Sequence, residues 1–144
     1  MVPKSLLTSA KAFLCWETGE NLSIQLVPIQ KAVAYFYPPQ RDYSSIVVFY
    51  QPQYQDFAEP LFLLFHEAGH AQQWRSYAAQ GQAERFHQML DLDKGPEKLA
   101  FEKEAWGLGK VFLATFLEKQ KLPAEKWLSR FTQYGDACLQ SYHE

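Results

Sequence analysis

The hydrophobic pattern of this 144-residue chain changes at about residue 50. Before that point, three short runs rich in β-branched and aromatic residues are separated by proline-containing segments, a pattern typical of β-strands. The three runs cover residues 22–27, 31–37 and 44–50. In the first run apolar and polar residues alternate, as in a strand with one buried face. We therefore expect a small three-stranded sheet in this part of the chain.

Helical patterns flank the expected strands on both sides. Apolar residues at helical spacing predict a first helix over residues 3–18, ending at Gly19. After the strands, Asp56 and Glu59 stand three residues apart and predict a capping box at the start of a long helix. The helices expected there cover residues 61–79, 83–90 and 96–121, with a last one from Pro123 that contains Gly135, a residue able to interrupt it. This order predicts an α+β fold in a single domain, residues 1–144.

Charge and composition argue against several classes of protein. The chain has 14 Lys and Arg residues against 16 Asp and Glu, so it lacks the basic excess that favours a nucleic-acid partner. Its apolar runs, such as 61–65 and 111–114, are far shorter than the roughly 20 residues that span a bilayer. Polar residues near the N-terminus also argue against a signal peptide. Cys15 and Cys138 have no metal-binding spacing, and we expect reduced thiols in a cytoplasmic protein.

Residues 66–70 read HEAGH, an HExxH motif. Helical residues four positions apart lie about 40° apart around the axis, so His66 and His70 can both bind one metal ion. Glu67 flanks that position, where it can take a proton from a metal-bound water without binding the metal itself. The four residues before the motif are apolar, so the motif should be buried, which is costly unless its polar groups are paired or bind a metal. Gly69 would let a backbone or a ligand approach closely.

A catalytic zinc site needs a third protein ligand. Gln73 and Ser76 stand where the short metzincin-type motif would continue with Gly and His, so the ligand has to come from another element. Four downstream residues are candidates: His87, Glu102, Glu104 and His143. Glu102 is closer than Glu104 to the centre of the apolar stripe of its helix, and it shares a face with small residues that allow close packing.

The two helices together resemble a known family. An HExxH helix followed about 30 residues later by a helix carrying E-x-E-A, here residues 102–105, is similar to a gluzincin-type metallopeptidase. It is most similar to the compact zincin domain of the ImmA/IrrE type, which cleaves phage and stress-response repressors. The match spans about residues 30–115 and implies a zincin-like fold, with Glu102 as the third zinc ligand beside His66 and His70. The family usually has Asn or Asp where this chain has Trp106, so Glu104 stays an alternative ligand.

The resemblance also implies a function. It implies a zinc-dependent metallopeptidase that hydrolyses an amide bond of a peptide or protein through a metal-bound water, with Glu67 as the general base. It further implies that the strand over residues 44–50 is an edge strand that holds an extended peptide substrate. The oxyanion-stabilising residue stays open among Arg41, Tyr50, Tyr54, His87 and His143. The alternative is a catalytically silent zincin-fold domain that binds a metal or a protein.

Overall fold

A computed structural model describes residues 1–18 and 21–143 of the chain. The fold is α+β, with an N-terminal helix, a three-stranded sheet and then several helices, as the sequence predicts. The elements are α1 (Lys4–Glu17), β1 (Leu22–Val27), β2 (Val33–Tyr37), β3 (Ser44–Phe49), α2 (Ala58–Ala79), α3 (Ala83–Asp91), α4 (Pro96–Lys119), α5 (Ala124–Leu139) and a short 3₁₀ helix (Gln140–Tyr142). The predicted helix end at Gly19 lies outside the described residues.

The described residues group into two compact units. The first extends to Ala68 and contains α1, the sheet and the first half of α2. The second starts at Gly69 and contains the rest of α2 and all later helices. The organisation of residues 1–144 as one domain stays a prediction. Among the described residues, no helix combines the length and the apolar character that crossing a membrane demands.

The strand order of the sheet is β1-β3-β2. β3 pairs in parallel with β1 and antiparallel with β2, so it has a hydrogen-bonded neighbour on each side. The expectation that residues 44–50 form a peptide-holding edge strand is therefore wrong. The physical reason is burial: β3 is apolar from Ile46 to Phe49 and fully buries Ile46 and Val48, as is typical of a central strand. The edges of this sheet are β1 and β2.

The start of α2 differs in detail from the predicted capping box. The helix begins at Ala58, one turn earlier than the apolar run suggested. The side chain of Asp56 accepts hydrogen bonds from the backbone N–H groups of Ala58 (3.1 Å) and of Val2 (3.0 Å). Asp56 thus stabilises the helix start from just outside the first turn, and Glu59 is an exposed residue of that turn, where a negative charge is favourable.

α2 and α4 approach each other closely in the second unit. A Cβ atom built on Gly69 of α2 would stand 1.9 Å from the carbonyl oxygen of Ala105 in α4, so only glycine fits. This confirms that Gly69 admits a neighbouring backbone. α5 runs without interruption through Gly135, where a Cβ would stand 2.9 Å from the ring of Trp106. Glycine at this position therefore serves close packing and does not break the helix.

Candidate metal centre

His66 and His70 lie on successive turns of α2, and both are buried, with 6% and 3% of their surface exposed. Glu102 lies on α4 and is 3% exposed. Each of the three residues offers one ligand atom, and these atoms all lie within 4.8 Å of one another. The structure therefore brings together the three residues that the sequence analysis assigned to the metal. The group could hold a metal ion.

The contact between His70 and Glu102 already has the spacing of two ligands of one ion. Nε2 of His70 lies 3.2 Å from Oε1 of Glu102. Two ligand atoms bound tetrahedrally to zinc are roughly 3.3 Å apart, given bond lengths of about 2.0–2.1 Å. Two imidazoles and one carboxylate are also donors that suit zinc. The donor set and this spacing fit a divalent metal.

The other candidates for the third ligand lie elsewhere. His87, Glu104 and His143 are all exposed, whereas Glu102 is buried. The imidazole of His87 packs against the ring of Trp74, at 5.5 Å between centroids. A carboxylate oxygen of Glu104 accepts a hydrogen bond from the amide of Gln73, at 2.8 Å. Of the two glutamates that the sequence left open, Glu102 is the one within the group.

Glu67 is buried beside the first histidine. Its exposed fraction is 7%, and its Oε2 atom lies 3.8 Å from Nε2 of His66. It is not one of the three residues whose ligand atoms converge. The carboxylate of Glu67 therefore lies next to the candidate metal ligands but is not one of them. A general base needs such a position.

Gln73 was missed by the sequence analysis, which noted it only as a departure from another motif. Its side chain is 1% exposed and joins α2 to α4. Its Oε1 lies 2.7 Å from Nδ1 of His70, and its Nε2 donates to the backbone oxygen of Phe101 and to Glu104, each at 2.8 Å. The spacing of His70 and Gln73, three residues apart on one helix, was the available signal.

Glu104 also influences a tyrosine on α2. Burial raises the pKa of Tyr77 above its ordinary value, and the negative charge of Glu104 raises it further. The positive charge of Arg85 acts in the opposite direction. The hydroxyl of Tyr77 thus stays neutral at physiological pH.

Lys98 is a second residue that the sequence analysis missed. It is 4% exposed, and its Nζ lies 3.3 Å from Oε2 of Glu102, one helical turn further along α4. The same ammonium donates hydrogen bonds to the backbone oxygens of Met89 (3.2 Å) and Leu90 (2.9 Å). Because a buried carboxylate is costly without a partner, Lys98 compensates Glu102 on the side away from His70. The spacing of Lys98 and Glu102 by four residues was a visible signal.

The contacts of the five residues proposed for oxyanion stabilisation do not involve the candidate metal ligands. Tyr50 is buried, and its ring packs edge-on against Phe57. The hydroxyl of Tyr54 accepts a hydrogen bond from a backbone N–H, that of Ala32, at 3.1 Å. The remaining three candidates, Arg41, His87 and His143, are exposed. These contacts are those of packing and surface residues.

Tyr142, near the end of the described residues, lies beside the candidate metal ligand Glu102. Its hydroxyl is 3.4 Å from Oε1 of Glu102, and its ring centroid is 5.6 Å from Nζ of Lys98. Its backbone oxygen accepts a hydrogen bond from the N–H of Gly95, at 3.0 Å. No local sequence pattern predicts this contact, because it depends on the chain returning to the start of α4.

Comparisons with known proteins do not assign the chain to a family. No protein-family model matches the chain, and searches of curated proteins and of solved structures found no match.

Proposed function

We propose that this chain is a zinc-dependent peptidase of the zincin kind, which hydrolyses an amide bond in a peptide or protein. The observation that carries the proposal is the buried group of His66, His70 and Glu102 with Glu67 beside it. Two imidazoles and two carboxylates gathered in one buried place carry a cost of desolvation. In this proposal that cost is retained because three of them hold a metal ion and the fourth takes part in the chemistry.

The three converging residues would hold the metal. The imidazoles of His66 and His70 and the carboxylate of Glu102 give a His₂Glu set, which leaves a zinc ion one position for water or substrate. When bound, zinc would supply a Lewis acid that polarises the scissile carbonyl and makes water more acidic. Lys98 would keep the Glu102 carboxylate charged and fixed, since its ammonium lies 3.3 Å from the second oxygen.

Glu67 would act as the general base. Its carboxylate would accept a proton from the attacking water and then deliver it to the leaving amine. Only 7% of Glu67 is exposed, so its carboxylate is largely shielded from bulk water. This arrangement favours catalysis over a silent metal site, because a structural site needs a fourth protein ligand and has no use for a base.

The proposal includes a cytoplasmic location. Among the described residues, neither cysteine is part of a disulfide; Cys15 lies on the surface and Cys138 is partly buried. Cysteines outside disulfides are typical of proteins in a reducing compartment.

Cleavage of a diverse peptide mixture tests the proposal. The full-length protein, reconstituted with Zn²⁺, is incubated with the mixture, and new peptide termini are identified by mass spectrometry. We expect cleavage that stops when a chelator is added and returns when zinc is restored. Cleavage that persists without metal, or no cleavage by a protein shown to be zinc-saturated, would contradict the proposed activity.

A further inference from the structure

The buried amide of Gln73 has three polar neighbours, each with a defined hydrogen-bonding character. The backbone oxygen of Phe101 and the carboxylate of Glu104 can only accept, and both lie 2.8 Å from Nε2. The third neighbour, Nδ1 of His70, lies 2.7 Å from Oε1. An imidazole nitrogen either donates or accepts, depending on where its proton is.

These neighbours allow one orientation of the Gln73 amide. An amide NH₂ group has two hydrogens, and two acceptors are present to receive them. The opposite orientation would turn Oε1 toward two acceptors and leave buried polar groups unsatisfied, which is unfavourable. The hydrogen-bond network therefore directs the amide oxygen of Gln73 toward His70 and its NH₂ group toward Phe101 and Glu104.

This orientation determines the proton on His70. Because the oxygen of Gln73 accepts only, Nδ1 of His70 must carry a hydrogen and donate it. In the neutral ring the other nitrogen, Nε2, then has no proton and presents its lone pair. Nε2 is the atom that lies 3.2 Å from Glu102, within the candidate metal group.

We infer that Gln73 is a positioning residue that keeps the proton of His70 on Nδ1, so that Nε2 is free to bind the metal. Glu104 holds Gln73 in place, so that Glu102 and Glu104 have separate roles. Glu102 is a ligand, and Glu104 orients the amide that orients a ligand. The part of this inference that concerns metal affinity rests on the proposed function, whereas the part that concerns the proton does not.

The position of the proton is measured in the metal-free protein. Long-range ¹H–¹⁵N spectra of the full-length chain, labelled on histidine nitrogens and assigned by His70→Gln, report which ring nitrogen is protonated. We expect Nδ1 of His70 to carry a hydrogen in the wild type, alone or together with a second one on Nε2, which faces the carboxylate of Glu102. In Gln73→Leu, the hydrogen of the neutral ring should lie on Nε2, where the carboxylate of Glu102 accepts it. A wild-type ring protonated on Nε2 alone, or no change in Gln73→Leu, would overturn the inference.

Zinc affinity gives a second readout. Outer hydrogen-bond partners of metal ligands typically contribute about 10- to 100-fold in affinity, so Gln73→Leu should bind Zn²⁺ more weakly by that factor. Gln73→Met fills nearly the same space but offers no amide oxygen to Nδ1 of His70, so it should bind Zn²⁺ as weakly as Gln73→Leu. Gln72→Leu makes the same change one residue away and should bind like the wild type.

The two hypotheses fail in different ways. If the wild type binds zinc and Gln73→Leu binds it equally well, the inference is wrong and the metal site stands. If Gln73→Met binds zinc as tightly as the wild type, the role of Gln73 is packing and the inference is also wrong. If the wild type binds no zinc, the proposed function fails, and the nitrogen spectra still decide where the proton of His70 lies.

Discussion

Replacement of Glu67 by Gln should abolish most peptide hydrolysis and leave zinc in place. Gln has nearly the shape of Glu but cannot accept a proton from water, and removal of a general base typically lowers kcat by about 10²- to 10⁴-fold. The three converging ligand residues do not include Glu67, so the metal should remain. Initial cleavage rates and zinc content, measured on the same preparation, check both halves of this prediction.

Glu59→Gln is the matched control for this substitution. It makes the same chemical change on the same helix, at an exposed position of the first turn. We expect its kcat to equal that of the wild type, with a stability change of only a few tenths of a kcal/mol from the helix dipole. Full activity in Glu67→Gln would move the base to another residue, and loss of zinc in that variant would make Glu67 part of the binding site.

Gly69→Ala should be among the most destabilising single substitutions in the chain. The added methyl group would stand 1.9 Å from the carbonyl oxygen of Ala105, and that oxygen is backbone that cannot turn away. The helices must separate, and we expect a loss of about 3 kcal/mol in the free energy of unfolding, the upper end for overpacked sites. Urea denaturation followed by circular dichroism measures this loss.

Gly107→Ala separates the steric effect from helix propensity. Gly107 lies in α4, and within the described part of the chain a Cβ there would meet nothing within 4 Å. Alanine should therefore stabilise the protein by about 0.5–1 kcal/mol, the difference in helix propensity. The two substitutions are chemically identical and should have opposite signs. Equal effects, or a stable Gly69→Ala variant, would contradict the close approach of α2 and α4.

Local patterns predicted most of the secondary structure. The strand and helix bounds depend on β-branched runs, prolines and helical periodicity, which act over a few residues. The placement of His66 and His70 on one side of α2 follows from helix geometry alone. Gly69 could be identified as a contact point because glycine inside a helix is less favourable than alanine by about 1 kcal/mol. Its presence there indicates that a neighbour approaches too closely for a side chain.

Contacts between residues far apart in sequence determine the features that local patterns did not predict. The order of the strands depends on which pairs form, and this made β3 central when the family resemblance suggested an edge. Glu102 and Glu104 lie on either side of one apolar stripe. The sequence places Glu102 only slightly closer to its centre, whereas the packing of α4 buries Glu102 and leaves Glu104 exposed. Tyr142 reaches Glu102 across 40 residues of sequence, a separation at which no local pattern operates.

Metal content is the most direct test of the central claim, that His66, His70 and Glu102 form a zinc site. Inductively coupled plasma mass spectrometry is applied to the wild type, His66→Ala and Glu102→Gln, with His87→Ala as the control at an exposed histidine. We expect about one zinc ion per chain in the wild type and in His87→Ala, and little in the other two. A wild type that takes up no metal after reconstitution would contradict the account, and zinc retained by Glu102→Gln but lost by His66→Ala would place the third ligand elsewhere.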